Sequence, residues 1–150
     1  MRSHVCAVVA PLLLAPLLPT HALAQAGDVS PVAVVHAFHQ AVTAGDSVRA
    51  LALLLPDLVV FEAGAVEASR DEYRASHLSA DMAFAQATRR EVLSERTGTA
   101  GDVAWVLTES RATGTFRGRP VDSRGVETMI LRRTPEGWRI AHIHWSSRRG

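Results

Sequence analysis

Lysine is absent from this 150-residue chain, and all 16 of its basic residues are arginine. A lysine amine is the side chain that forms Schiff bases with carbonyl substrates, so the sequence excludes that kind of covalent catalysis. Cysteine is nearly absent too, since Cys6 is the only one. No disulfide can therefore form within the chain, and its fold must be stable without one.

Two motifs that would assign a function directly are also missing. The chain has no Gly-rich phosphate-binding loop. It has no G-x-S-x-G nucleophile elbow around any serine, including Ser110 and the two serines that lie near histidines in the sequence, Ser146 and Ser147. A hydrolase triad is therefore not favoured.

The N-terminus has the pattern of a signal peptide. One positive charge, Arg2, precedes an apolar run over residues 5–18, which is shorter than the roughly 20 residues that a membrane-spanning helix needs. Ala22-Leu23-Ala24 is an A-x-A site of the kind that signal peptidase cuts. The sequence predicts a signal peptide over residues 1–24, a mature domain over residues 25–150, and a periplasmic or secreted location.

Cleavage after Ala24 would remove Cys6 and Arg2, leaving 15 arginines against 15 acidic residues. A domain that binds nucleic acid or an anionic membrane usually carries an excess of basic residues. Neither partner is predicted here. The remaining chain of about 126 residues is long enough for one domain with one hydrophobic core.

The first half of the mature chain predicts three helices. Ser30-Pro31 is a helix start, and Gly45 ends this first helix. A second, shorter helix follows and ends at Pro56. A capping box over residues 69–72 opens the third helix, which runs to about Ala85.

The second half has the alternating pattern of strands. A short strand is predicted earlier, over residues 58–61, and four long strand candidates follow the third helix: residues 88–97, 103–116, 121–133 and 138–147. Helices that precede a run of consecutive strands predict an α+β domain in which one antiparallel sheet folds over the helices.

This order of elements resembles the nuclear-transport-factor-2-like superfamily over residues 30–148. The resemblance rests on the helix-Ala44-Gly45-Asp46-helix junction, the turn Phe116-x-Gly118-x-Pro120, and the ending Gly137-Trp138-Arg139-Ile140-Ala141-His142-Ile143-His144-Trp145-Ser146. The chain is most similar to the SnoaL-like branch of small bacterial proteins, and its last strand is also similar to the association domain of calcium/calmodulin-dependent kinase II.

The resemblance implies a cone-shaped half-barrel, in which three N-terminal helices pack on a curved antiparallel sheet around a pocket, usually in a homodimer. It does not imply one activity. The fold is shared by isomerases, cyclases, dehydratases and proteins that only bind or assemble.

Only part of the steroid-isomerase pattern of functional residues has a chemical counterpart in this sequence. The general base of that pattern falls on Glu62, but its two oxyanion-stabilising donors fall on Phe38 and Met129, which cannot donate. One such donor lowers the reaction barrier by about 3 to 4 kcal/mol. Without both donors, the same isomerisation by the steroid-isomerase groups is not expected. The pocket arginines of the kinase association domain fall on Leu107, Met129 and Trp145, which implies a more apolar pocket.

Strand alternation groups the polar candidates of the sheet. Trp105, Leu107, Glu109 and Arg111 share one face of their strand, and Glu127, Met129 and Leu131 share one face of the next. If both faces look into the pocket, Glu109 and Glu127, near Glu62 and Arg111, supply an acid and a base that share one proton. The alternative is an arginine–carboxylate network that only holds the strands together.

Tyr73 and His77 lie one turn apart on the third helix, where they are candidates for a proton donor and a titrating base, or for core residues. His142 and His144 form an H-x-H pair, but no third ligand is evident, so no metal and no cofactor is predicted. Alternation opposite Trp145 would instead place this pair on the outer face, against a partner subunit.

The sequence therefore predicts an exported domain that binds a small, largely apolar molecule and forms a homodimer. One hypothesis is a SnoaL-like isomerase, cyclase or dehydratase with Glu62, His77, Glu109 and Glu127 as acid and base. The predicted ligand-binding residues are Tyr73, Trp105, Leu107, Arg111, Met129 and Trp145. The alternatives are a binder without catalysis and a dimeric interaction module whose pocket is filled by its own side chains.

Overall fold

A computed structural model describes residues 29–150, so the predicted signal peptide and its cleavage site lie outside the described residues. The helices are α1 (Pro31–Ala44), α2 (Ser47–Ala52), α3 (Arg70–Ser76) and α4 (Leu78–Ala87). The strands are β1 (Leu54–Glu62), β2 (Ala65–Glu67), β3 (Thr88–Ala100), β4 (Val103–Phe116), β5 (Arg119–Thr134) and β6 (Gly137–Arg149). No helix within residues 29–150 is long and apolar enough to cross a membrane.

The ends of α1 follow the predicted signals. The Ser30 hydroxyl accepts a 3.2 Å hydrogen bond from the amide of Ala33, and Pro31 occupies the first turn. Gly45 ends the helix at φ 72°, a left-handed conformation that glycine adopts without steric cost.

The predicted third helix is two helices that meet at His77. This residue ends α3 and begins α4, with φ −114° and ψ −41°. Its carbonyl accepts hydrogen bonds from the amides of Ala80 and Asp81, in the first turn of α4. The break leaves the His77 side chain at the junction of the two helices, next to β2.

The six strands form one sheet in the order β2-β1-β6-β5-β4-β3. The predicted α+β class and curved sheet are confirmed, but the sheet is mixed rather than purely antiparallel. β1 runs parallel to β6, with Val60 opposite Ile143 and Glu62 opposite Trp145. Helices α3 and α4 and the four strands between β1 and β6 allow this return, which a hairpin could not provide.

The helices cover one face of the sheet, called the inner face below. Val35 and Phe38 of α1 pack there in one apolar cluster with Val106, Met129 and Ile143 of the long strands. The opposite, outer face has no covering layer among the described residues. This single-sided packing leaves a space between the helices and the open end of the inner face.

Candidate functional site

A cavity of about 960 Å³ occupies the space between the helices and the inner face. This volume is large enough for a small organic molecule, and the wall is mostly apolar. Glu62, Tyr73, His77, Glu127 and Trp145, five of the residues singled out from the sequence, line it. The cavity is open, so the interpretation of a pocket filled by its own side chains is wrong.

Four other predicted residues lie on the outer face. Glu127 stands directly opposite Thr108 across the β4–β5 ladder, and opposed residues share a face. Thr108 and Val106 therefore point inward, while the alternate residues of β4 point outward: Trp105, Leu107, Glu109 and Arg111. The prediction that these four residues line the pocket is wrong.

The outward residues have surroundings of their own. The Trp105 ring lies over Gly98 of β3, where an added Cβ would come within 2.1 Å of the ring. Arg111 binds Asp122 through two hydrogen bonds of 2.8 and 2.7 Å. Glu109 lines a separate depression of about 260 Å³ on the outer face. Glu109 and Glu127 therefore cannot share a proton, and Arg111 is not the partner of either.

Met129 points inward as predicted, but it does not line the cavity. It is fully buried in the core against α1. Phe38, at the position of the missing tyrosine, is also buried, and only part of it reaches the cavity wall. The two positions that hold oxyanion donors in the steroid-isomerase pattern are thus occupied by core side chains.

Glu127 is buried and accepts hydrogen bonds from two aromatic neighbours. The His39 Nε2 atom lies 2.9 Å from one carboxylate oxygen and 3.1 Å from the other. The indole N–H of Trp145 donates to Oε2 at 2.7 Å, and an Arg90 guanidinium nitrogen lies 3.6 Å from Oε1. Together these groups form one polar cluster on the cavity wall.

Burial alone would raise the pKa of Glu127, but its neighbours reverse the effect. The hydrogen bond and charge of His39, the Trp145 indole and the Arg90 guanidinium hold the pKa of Glu127 below its ordinary value. Glu127 is a stabilised anion that holds His39 in place, and as such it is a weak base.

A second polar cluster surrounds the α3–α4 break. The His77 Nδ1 atom is hydrogen-bonded to Oε1 of Glu67, a buried residue of β2. Its Nε2 atom lies 3.7 Å from Oε2 of Glu62 at the end of β1. The Glu67 hydrogen bond raises the pKa of His77, burial opposes that shift, and the charges of Glu67, Asp81 and Glu62 add to it.

Asp81 completes this second cluster. The Tyr73 hydroxyl donates a 2.8 Å hydrogen bond to Asp81 Oδ2. Burial and the nearby carboxylates of Glu62 and Glu67 raise the pKa of Asp81 to about 6, although the Tyr73 hydrogen bond and the charge of His77 oppose this shift. Burial, reinforced by the Asp81 charge, raises the pKa of Tyr73 as well, so its phenol stays protonated.

Four residues of these clusters were not singled out from the sequence: His39, Arg90, Glu67 and Asp81. His39 is four residues beyond Val35 and three before Val42, so helical spacing could have placed it on the buried face of α1. Asp81 follows His77 by four residues and could have been found in the same way. Glu67 gave no such signal, because it lies in a three-residue strand that periodicity does not detect.

His142 and His144 lie on the outer face, as the alternative interpretation expected. They flank the ring of Phe61, with centroid distances of 5.0 and 6.2 Å. Within residues 29–150 no group of three or more histidine, cysteine or acidic side chains is arranged to hold a metal ion.

The fold and the cavity agree with the protein family and the solved structures to which the chain is similar. The family model of the SnoaL-like domain matches residues 32–149, so the chain belongs to the SnoaL-like family. This confirms the resemblance inferred from the sequence. No curated protein matches the chain in sequence.

Several solved structures are similar to the chain. A protein from Shewanella frigidimarina described as a "putative ketosteroid isomerase" is 33% identical, with a TM-score of 0.73, and the match covers 75% of this chain and 91% of that one. A "putative dehydratase" of the NTF2-like family from Streptomyces avermitilis is 23% identical, with a TM-score of 0.68 and coverage of 78% and 92%. The calcium/calmodulin-dependent kinase II hub of S. rosetta is 20% identical, with a TM-score of 0.66 and coverage of 78% and 93%. The last two show a shared fold.

Proposed function

We propose that this protein binds a small, largely apolar molecule in the cavity and catalyses a proton transfer on it, as an isomerisation, cyclisation or dehydration requires. The observation that carries this proposal is the position of His77. Its imidazole lies in the cavity wall with Nε2 3.7 Å from the Glu62 carboxylate. A base and a proton donor placed side by side in a mostly apolar cavity are the groups that such chemistry needs.

Glu62 is the proposed base. Its side chain is 37% exposed and lines the cavity, so a bound molecule can reach the carboxylate. His77 is the proposed acid, because its raised pKa favours the protonated ring that can donate from Nε2. The Tyr73–Asp81 pair lies beside them and provides a second proton donor.

The Shewanella protein, described as a "putative ketosteroid isomerase" and 33% identical to this chain, supports this class of reaction. The buried side chains of Phe38 and Met129 oppose a steroid-isomerase mechanism with the usual oxyanion donors. We therefore propose the same class of proton transfer with a different donor, supplied by His77 and the Tyr73–Asp81 pair.

The experiment starts from ligands that copurify with the native protein, identified by mass spectrometry after extraction. Compounds found in this way, and their enol and alcohol analogues, are then tested for turnover. Glu62→Gln keeps the shape of the side chain and removes the base, so turnover should fall by at least about 100-fold while binding of a fluorescent apolar probe is retained. The matched control is Glu109→Gln on the outer face, which should leave turnover unchanged. Equal turnover in both variants would refute the assignment of Glu62.

We further propose that the protein is exported with cleavage of residues 1–24 and that the mature domain acts as a homodimer. The outer face exposes several apolar side chains in a row, including Trp105, Leu107 and Val126, and an apolar face of this kind is stabilised when a second subunit covers it. The similarity to a kinase hub domain supports assembly through this fold.

A further inference from the structure

We propose that Glu67 is a positioning residue, which orients the His77 ring so that Nε2 faces the cavity and Nδ1 is kept as a hydrogen-bond donor. This inference rests on the proposed role of His77 but is tested independently of it. It assigns a function to a residue that no sequence pattern indicated.

A hydrogen bond to Glu67 fixes which nitrogen of the His77 ring carries a hydrogen. Glu67 Oε1 is bound to His77 Nδ1. A carboxylate oxygen accepts, so Nδ1 must carry the hydrogen, and the neutral ring then has its free lone pair on Nε2. With Nδ1 fixed in this way, only Nε2 is directed toward Glu62 and the cavity.

A carboxylate at position 67 is costly to bury. Glu67 is only 6% exposed, and its Oε2 atom has no hydrogen-bond partner among residues 29–150. Burial of an incompletely paired carboxylate is unfavourable, and an apolar side chain would fill the same place without that penalty. A purely structural role therefore explains the packing of Glu67 but not its charge.

The fold brings Glu67 and His77 together at the edge of the sheet. β2 places Glu67 opposite Val60 on the inner side of the sheet edge, and the α3–α4 break places His77 above it. The Ser76 hydroxyl lies 3.4 Å from the same Oε1 atom but donates its closer hydrogen bond, of 2.7 Å, to the carbonyl of Glu72. His77 is thus the principal partner of Glu67.

The test is ¹⁵N NMR of the histidine side chains across a pH titration, with the signals of His77 assigned by their loss in His77→Gln. In Glu67→Gln the amide can bind Nδ1 with either its oxygen or its nitrogen, so the fixed tautomer should be lost and the titration of His77 should move to lower pH. Glu67→Asp keeps the charge on a shorter side chain and should restore part of the wild-type titration. Ser76→Ala, the control, removes a neighbour of Glu67 without touching the ring and should leave the His77 signals unchanged.

Two outcomes would overturn the inference: an unchanged His77 tautomer and titration in Glu67→Gln, or an equal change in Ser76→Ala. If Glu67→Gln does not fold, Glu67→Asp decides the test, and the titration of His77 in that variant should move part of the way to lower pH. A titration of His77 identical to that of wild type in Glu67→Asp counts against the inference. Because these measurements need no substrate, they can succeed or fail whether or not Glu62→Gln abolishes turnover.

Discussion

The Tyr73 hydroxyl donates a 2.8 Å hydrogen bond to Asp81, eight residues further along the chain and across the break between α3 and α4. The bond joins the two helices at the cavity wall. It also places a neutral donor beside a carboxyl group whose pKa is raised to about 6, mainly by burial. Asp81 therefore changes charge close to neutral pH, where its two nearest carboxylate neighbours, Glu62 and Glu67, oppose its ionisation.

Replacement of Asp81 by Asn should stabilise the protein at alkaline pH. The folded state raises the pKa of Asp81 from 3.8 to about 6, so folding disfavours the ionised form. At pH 8 this penalty is fully present, and its removal should increase the free energy of unfolding by about 3 kcal/mol. The gain should shrink as the pH falls through 6 and vanish below about 4, where Asp81 is neutral in both states. Urea unfolding of wild type and Asp81→Asn at pH 8, 6 and 4 measures this difference in the free energy of unfolding.

The side-chain amide of the Asp81→Asn variant would still accept the Tyr73 hydrogen bond through its oxygen, so the comparison isolates the charge. Asp71→Asn, at an exposed position in the first turn of α3, serves as the control and should not stabilise the protein at any of these pH values. A destabilised Asp81→Asn variant at pH 8 would contradict the raised pKa of Asp81.

Replacement of Glu127 by Gln should destabilise the protein at neutral pH. Gln has one acceptor oxygen for the donors of His39, Trp145 and Arg90, so at least one buried donor loses its partner. The expected loss is about 1 to 3 kcal/mol at pH 7. Because the pKa of Glu127 is lowered by folding, the stabilising effect of its charge is present above about pH 4.5 and is lost as the pH falls through the folded pKa.

The difference between wild type and Glu127→Gln should therefore narrow at pH 3 to 4, as measured by chemical denaturation. Glu109→Gln is the matched control, because Glu109 is exposed on the adjacent strand, and its effect should stay within about 0.5 kcal/mol. A Glu127→Gln variant as stable as wild type would assign Glu127 to chemistry rather than to the support of His39.

The fold was predictable from the sequence because its signals are local. Ser30-Pro31 and Gly45 set the ends of α1, and the long strands follow from alternation and turn residues. The parallel pairing of β1 with β6 was not predictable in this way. It depends on contacts between residues about 80 positions apart, such as Val60 and Ile143.

The residues of the candidate site were predictable only on elements whose sequence shows which face is buried against the core. On β4 both faces carry apolar residues, Val106 inward and Leu107 outward, so alternation alone cannot decide which face is buried. The choice is made by pairing with β5, where Thr108 meets Glu127. On β5, Met129 and Glu127 lie on the inner side, as the family resemblance implied, although the outward residues Val126 and Ile130 are also apolar.

Export should be visible at the N-terminus of the protein recovered from cells. Cleavage at the A-x-A site Ala22-Leu23-Ala24, or at the overlapping site Ala24-Gln25-Ala26, predicts a mature chain that begins at Gln25 or Gly27. N-terminal sequencing of protein from the envelope or culture medium measures this directly. Substitution of Ala24 by a bulky residue should cause the precursor to accumulate, and recovery of intact Met1 from the wild-type envelope fraction would contradict the prediction.

Substitution on the outer face should separate the subunits without unfolding them. Leu107 is 39% exposed, and a glutamate there would stand opposite Arg96 of β3, so its charge is neutralised in the monomer but is costly inside an apolar interface. We expect light scattering at micromolar concentration to report a dimer for wild type and a monomer for Leu107→Glu, with unchanged far-UV circular dichroism. Val48→Glu, on α2 and 80% exposed away from the sheet, should remain dimeric. A monomeric wild type, or a Leu107→Glu variant that stays dimeric, would show that the outer face of the sheet is not the interface.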